Sequence, residues 1–468
     1  MSDTDLYTVA LVGDQEDASW RDMTSRSPWF EQLHTDTAPR PLDGDVTTDV
    51  AIVGAGIAGI ATAFFVLRET GNSVLLLERG RAGSGATGHN AGQVANYFER
   101  PLCDLAEQYG FDLAISAQAA IDDAFELLKL MIAETASTVR LERVMGHMGM
   151  FSVNHLEVHL SNQALRQRGG LEVEEVIVSA DAPFLADIPA DHAGLYKLVP
   201  QREIEARLGT RCGEYHAVLS SPKACVNSAL LVEHAIAHFE RAHPDRFRFV
   251  DHTMVERIML GEGSAVLEAQ GHQVDCSHVV LCTNGYVDHQ VVDVDGSAIE
   301  LPLIQTVGFM GGYFEREQLP PGAISYIKNE RIGGELPYGY VTRRTYDGPD
   351  GVSTLTCVGG PEVELEHGQR YDAEAVVPAH ALEQLDTQVR AVIDVPGGSN
   401  EAYDYAWHGV MGYMPDRLRV VGHEPRNPAL LYNLACNGVG ILPSLHGGQR
   451  IASMLAGEQL PPSIFDPR

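Results

Sequence analysis

Apolar positions along the chain follow two rhythms, and the sharpest change between them lies between Asp49 and Glu78. Asp49 to Val53 is a short apolar run of strand type, Ile60 to Leu67 continues at helical spacing, and Ser73 to Leu77 is a second apolar run ending on Glu78. The order predicted is strand, turn, helix, strand. From Leu102 to Arg143, Leu105, Leu113, Ala117, Ala120, Ala124, Leu127, Leu128 and Met131 fall largely at three- and four-residue spacings. This predicts two helices divided near Gly110, because a glycine interrupts the period. Met145, Met148 and Met150 read as core residues. Val176 to Gly209, with Pro183, Pro189 and Pro200, reads as mixed loop and helix, and Pro222 to Ala242 as a further helix. Phe247 to Val250 and Met254 to Met259 look like strands, and Ala265 to Leu267 is expected to pair with Val279 to Cys282. Gln305 to Phe314, Gly339 to Arg344 and Thr354 to Gly359 are strand-like runs suited to a mainly antiparallel sheet.

The turn after the first strand is Gly54-Ala55-Gly56-Ile57-Ala58-Gly59. Gly54 allows the tight turn, Gly56 lets backbone approach a pyrophosphate, and Gly59 lets the helix pack closely on the strand. The helix N-terminus, at Ile57 and Ala58, offers N–H groups to the phosphates. Glu78, 19 residues beyond Gly59, stands where an acid accepts hydrogen bonds from a ribose. A second run of small residues follows at once, from Arg79 through Ser84, Gly85, Ala86, His89, Asn90, Ala91 and Gly92 to Gln93. An NAD site has no need of such a segment, whereas an extended FAD must pass its ribityl chain and ring along a backbone with few side chains in the way. FAD is the expected cofactor.

Composition narrows the partners. A net charge of −31 argues against nucleic acid, since phosphate binding needs clustered Lys and Arg. The acidity reads either as a well-solvated surface or as adaptation to a salty cytosol, the latter supported by only four lysines, Lys129, Lys197, Lys223 and Lys328. Seven scattered cysteines with no CxxC pair suggest neither a disulfide framework nor a metal site. With an acidic N-terminus and no apolar run approaching a membrane span, a cytoplasmic location is expected.

Three stretches together resemble the glycine/D-amino-acid oxidase (DAO) family of flavoproteins, whose branches include gamma-glutamylputrescine oxidoreductase and the sarcosine- and dimethylglycine-oxidising enzymes. Ser84 to Gln93, SGATGHNAGQ, is similar to the family's SGRNGGQ-type segment. Val279 to Val287, VVLCTNGYV, resembles its strand and TNGY turn, with Thr283, Asn284 and Gly285 meeting the cofactor. Leu430 to Glu458 resembles its final strand, its glycine turn over the flavin (Gly438, Val439, Gly440, Ile441 and Leu442) and its closing helix.

The fold implied is α/β (α+β): a Rossmann-like FAD-binding domain with a discontinuous, mainly antiparallel β-sheet substrate domain. The expected boundaries are 46–145, 222–297 and 402–462 for the first and 146–221 and 298–401 for the second, with 1–45 an extension wrapped onto the surface by its aromatics.

The resemblance implies oxidation of a C–N bond in an amine or amino acid, with O2 or another electron acceptor taking the electrons. The alternatives are a flavin dehydrogenase of a 2-hydroxy acid or folate-linked methylamine, and an FAD-binding protein without turnover. Gly88 to Gly92 aligns with a family stretch whose histidine carries FAD covalently, so His89 reads either as an attachment point or as a lining residue. A lysine that one branch uses to hold a substrate carboxylate corresponds to Leu442. Substrate candidates are Tyr338, Tyr340, Arg343, Arg344, Trp407 and His408, because a guanidinium grips a carboxylate and aromatic rings cage a cationic amine. Strand alternation puts Arg343 and Arg344 on opposite faces, so at most one points into the cavity. His408 reads as a general base or a polar wall.

Overall fold

The computed structural model describes residues 21–33, 38–210, 212–327, 338–348, 351–366, 368–390 and 403–468. Among them are two large sheets, one of nine strands and one of ten.

The first sheet is built on Val46–Val53, which runs parallel to His272–Leu281 on one side and Val74–Leu77 on the other, with Phe247–Val250 parallel beyond. A parallel pair needs a crossover, and the helix Ile57–Glu69 supplies it. Both faces of the central strand are covered: Val50 and Ile52 enter one core cluster, Ala51 and Val53 another. That is why the run reads as continuously apolar. Ile60, Phe65 and Val66 are fully buried on the crossover helix, each contributing about 1.5–3 kcal/mol by leaving water.

Ser264–Ala269 pairs antiparallel with the start of His272–Leu281, Leu267 opposite Val274. The expected partner, Val279 to Cys282, lies further along, where Val279 to Leu281 instead pair with Ala51 to Val53 and with Leu430 to Tyr432. One long strand serves different neighbours along its length.

Gly110, at φ +87°, separates the helices Leu102–Tyr109 and Phe111–Glu134. The second stops sooner than the apolar period suggests, and Glu142–Met150 is a strand. Met150 is buried in a core cluster against which Met148 packs while also lining a cavity, whereas Met145 is 50% exposed. Pro222 likewise belongs to a strand, Ala217–Cys225, and the helix begins only at Ser228, where the Asn227 side chain accepts the Leu230 N–H at 3.0 Å.

These two strands pair with each other inside the second sheet. Its order runs Tyr405–Tyr413, Ile304–Phe314, Gly351–Glu364, Tyr338–Gly348, Gly322–Ile327, Glu142–Met150, Ala217–Cys225, Glu175–Ser179, Lys197–Val199. All joints are antiparallel except those of Gly322–Ile327 with Glu142–Met150 and of Glu175–Ser179 with Lys197–Val199. A short strand, Gln93–Val94, pairs with Cys225 and Ala224 and carries the second glycine segment onto this sheet.

Two close packings complete the frame around the glycine segments. The helix Ile441–Leu455 crosses the first helix so closely that a Cβ on Gly448 would lie 2.6 Å from the Ala61 carbonyl carbon. The N-terminal strap lays Trp29, fully buried, against the second glycine segment: its indole Nε1 donates to Asn90 O at 2.6 Å, and Ser27 Oγ donates to Gly88 O at 2.5 Å. Trp20 lies outside the described residues.

Candidate active site

A cavity of about 2200 Å3 is lined by residues of both sheets. One side of it is almost entirely backbone. Gly54 sits at φ +104°, where a Cβ would meet Cys282 O at 2.7 Å, and a Cβ on Gly59 would lie 1.9 Å from Gly54 O. Gly59 therefore faces the strand rather than the cavity, as its packing role requires. Gly56 is the N-cap of the first helix; the Ile57 N–H donates to Thr87 Oγ1 at 2.9 Å, and Gly56, Ile57 and Ala58 turn the positive end of the helix toward the cavity they line.

Glu78 stands at the end of this trough. Its Oε2 accepts the Ala55 N–H and its Oε1 the Gly80 N–H, both at 2.9 Å. Burial pushes the carboxyl pKa up, and these backbone bonds pull it back. A carboxylate has roughly four acceptor sites, which leaves capacity for ribose hydroxyls. Thr253 and His252 close this end, their N–H groups bonded to Glu78 O and Gly80 O. Arg79 lines the cavity with its guanidinium committed, 2.7 Å from Asp288 and 4.8 Å above the Tyr286 ring.

Ser84, Gly85, Ala86, His89, Asn90, Ala91 and Gln93 continue the lining. The Asn90 side chain braces the loop: Nδ2 donates to Thr87 O and Ser228 Oγ, and Oδ1 accepts the Gly92 N–H at 2.6 Å. Gly92 lies behind, its missing Cβ 2.6 Å from Val226 O. His89 Nδ1 is 3.0 Å from Gly85 O; a carbonyl only accepts, so Nδ1 carries the proton and Nε2 the lone pair. Burial lowers the imidazole pKa and keeps it neutral.

Thr283 and Asn284 line the middle. Asn284 Oδ1 accepts the Cys436 N–H at 2.9 Å and the Gly412 N–H at 3.3 Å, joining this turn to the C-terminal one. Thr283 Oγ1 is buried without a hydrogen-bond partner among the described residues. Gly285 packs on Met411 O and does not reach the cavity. Gly438, Val439, Gly440 and Ile441 do, whereas Leu442 turns into the core, because the closing helix starts one turn before the expected Ser444. Pro443 is tolerated in that first turn, where no intrahelical N–H is needed. A backbone trough with two helix N-termini along it, an acid at one end and an orphaned hydroxyl in its middle fits an extended FAD.

The other side is built of side chains, and here expectation and structure part. Tyr340 lines the cavity, its hydroxyl donating to Met310 Sδ at 3.0 Å. Arg344 does not line it. The guanidinium is buried 4.5 Å over the Trp29 ring, because the N-terminal strap covers the face on which alternation places it. Arg343, on the opposite face, sits 3.6 Å from Glu315. Trp407 is fully buried beside Gly312. His408 lies behind the lining: Nε2 donates to Ala375 O at 2.8 Å, and Nδ1 accepts the hydroxyl of Tyr371 at 2.9 Å. With its pKa lowered by burial, it is a neutral support for Tyr371, which does line the cavity. The Tyr338 side chain lies outside the described residues.

Sequence reasoning missed Glu99, Lys223, Glu362, Tyr371 and Tyr413, all in the lining. Glu99 opens onto the cavity within protein walls; burial, with the Glu362 charge added, raises its pKa to about 7 against the pull of Arg417. Lys223 had one legible signal, its rarity in so acidic a chain, but it fell in a stretch that reads as helix.

A model of the family described as FAD dependent oxidoreductase (DAO) matches residues 49–454. The chain belongs to this family. Gamma-glutamylputrescine oxidoreductase of Escherichia coli (strain K12) is 34% identical over 88 residues, 19% of this chain and 20% of the relative. The match thus spans about a fifth of that relative's length. Among solved structures, glycine oxidase from Geobacillus kaustophilus superposes with a TM-score of 0.63 at 16% identity, covering 89% of this chain and 96% of that one. NikD, described as an unusual amino acid oxidase essential for nikkomycin biosynthesis, gives 0.65 at 12% identity over 90% and 98%. These two likenesses concern the fold.

Among the described residues no helix is long and apolar enough to cross a membrane.

Proposed function

We propose that this DAO-family protein oxidises the C–N bond of an amine or amino acid. The observation that carries the reading is a cavity with two unlike sides: a backbone trough suited to an extended dinucleotide, facing a wall of Tyr340, Tyr371, Glu362 and Lys223 suited to a small polar molecule. Glu78 takes the ribose, Gly54 to Ala58 the pyrophosphate, and Ser84 to Gln93 with Thr283, Asn284 and Gly438 to Ile441 the flavin half. When bound, FAD would supply the two-electron oxidant, with N5 the acceptor for a hydride from the carbon beside the amine nitrogen. The protein's share is to desolvate and orient the neutral amine. Loss of hydride turns C–N into C=N, and water then cleaves the imine to a carbonyl compound and an amine or ammonia. O2 or another acceptor takes the electrons onward.

His89 is the candidate for a covalent link to the flavin, the alternative being a lining residue; its Nδ1–H donates to Gly85 O, which leaves the other ring nitrogen unprotonated. Colour that stays with acid-precipitated polypeptide, and is lost in His89→Ala, assigns that bond; free FAD in the supernatant assigns His89 to the lining. The function itself is tested by adding amines and amino acids anaerobically to the yellow protein. Bleaching with formation of a carbonyl product supports the reading. Bleaching only by 2-hydroxy acids overturns it.

A further inference from the structure

The N-terminal strap, residues 21–33, converges on one side chain of the second glycine segment. Ser27 Oγ donates to Gly88 O at 2.5 Å and Trp29 Nε1 to Asn90 O at 2.6 Å, so the carbonyls on either side of His89 are both held by the strap. The Phe30 ring lies 5.3 Å from the imidazole, tilted by 59°. Three contacts thus bracket His89.

Glycines clear the space for it. A Cβ on Gly88 would fall 2.2 Å from Phe30 Cζ, so the bare position before His89 is what admits the ring. A Cβ on Gly409, in the strand Tyr405–Tyr413, would lie 2.8 Å from His89 Cβ. His89 is packed against both the strap and the second sheet.

The strap is itself anchored at points away from His89. The Asn227 side chain, which caps the helix Ser228–Ala242, donates to Trp29 O at 3.1 Å and to Gln32 Oε1 at 2.9 Å. Arg26 N donates to Ala406 O at 2.7 Å, and Met23 exchanges backbone hydrogen bonds with Val377. Ser27 and Trp29 are buried, so water does not replace either donor when it is removed. Phe30 lines the cavity, whereas Ser27 and Trp29 do not. Their reach toward a bound ligand runs through His89 and its two neighbours.

We infer that Ser27, Trp29 and Phe30 are the positioning residues of His89: they set the imidazole against the flavin, so that FAD binding depends on a segment outside all three glycine motifs. The role is the same whether His89 carries the flavin or lines it. It rests on the trough holding FAD and not on C–N oxidation.

The test is a double-mutant cycle, read by titrating flavin-free protein with FAD. The quantity measured is the Kd of the first, reversible complex, which forms whether or not a bond to His89 follows. Phe30→Ala removes the ring contact; the pair Ser27→Ala with Trp29→Phe removes both donors, and decides the matter if Phe30→Ala does not fold. Each is made with His89 in place and in His89→Ala. Met23→Ala, on the same strap but off the cavity, is the control. With His89 present, FAD is expected to bind at least about 10-fold more weakly in Phe30→Ala and at least about 3-fold more weakly in the paired variant; in His89→Ala both losses shrink to less than about 2-fold. At saturating FAD the visible flavin spectrum should differ from that of the parent only where His89 is present. Equal losses in both backgrounds overturn the inference, since the strap would then act on the flavin directly or on the domain at large. Unchanged FAD binding with His89 in place overturns it too, as does a loss in Met23→Ala as large as that in Phe30→Ala. Failure of amines to bleach the flavin would bear on the proposed oxidation alone.

Discussion

The two sides of the cavity are made in different ways. The trough from Gly54 through Glu78, Ser84 to Gln93 and Gly438 to Ile441 presents peptide groups, held where they are by close backbone contacts. The opposite wall presents side chains from distant strands, Tyr340 from one, Lys223 from another and Tyr371 from a loop, each positioned by a partner behind it. A ligand common to a family can be gripped by backbone, which leaves the residues free to be glycine. A ligand particular to one enzyme must be gripped by side chains. The trough should therefore govern flavin binding and the wall substrate binding.

The largest effect expected from breaking this division is at Gly59. In Gly59→Ala the new Cβ would fall 1.9 Å from Gly54 O, and neither backbone can yield. Destabilisation of about 3 kcal/mol or more and loss of bound FAD are expected, measured by denaturant unfolding and by flavin content. Next comes Glu78→Ala, which strands the buried N–H of Ala55 and removes the ribose acceptor. A cost of about 1–3 kcal/mol should appear in stability, with FAD affinity reduced and the substrate KM of the residual holoprotein unchanged.

A smaller effect, with a pH signature, sits at Glu99. Its folded pKa of about 7 lies above the ordinary carboxylate value, so the folded state holds that proton more tightly than the unfolded chain does. Stability from this group is fully present below the ordinary value and is lost as pH rises through about 7. Glu99→Gln removes the loss. Its Tm gain over the wild-type holoprotein should be larger at about pH 8 than at about pH 5; a gain equal at both would mean that Glu99 ionises freely. The smallest effect is at Arg343, 3.6 Å from Glu315 and off the cavity. Arg343→Ala should change stability by less than about 1 kcal/mol and leave substrate KM and kcat as they are.

The same division explains what could be read from the chain. Backbone segments leave local signatures, so Gly54, Gly56, Ile57 and Ala58, Glu78 at its spacing and much of the later glycine segments are legible as cavity lining, whereas Gly59, Gly92, Gly285 and Leu442 stand behind it. The wall was not, because its members are brought together by the second sheet alone. Two of that sheet's central strands, Glu142–Met150 and Ala217–Cys225, lie where helical spacing continues in the sequence. Reading Pro222 as the start of a helix hid Lys223. Reading Arg344 by alternation was sound as geometry, yet alternation says which face a residue takes and not what covers that face; the covering is Trp29, more than three hundred positions earlier in the chain.

Whether the backbone trough is a dinucleotide site of FAD length is tested most directly by a fluorescence titration of flavin-free protein with FAD, FMN and NAD. Tight binding of FAD, with FMN at least about 100-fold weaker for want of the adenosine half held at Glu78, and no competition by NAD, is the predicted result. Equal affinity for FMN and FAD, or displacement of FAD by NAD, would contradict it.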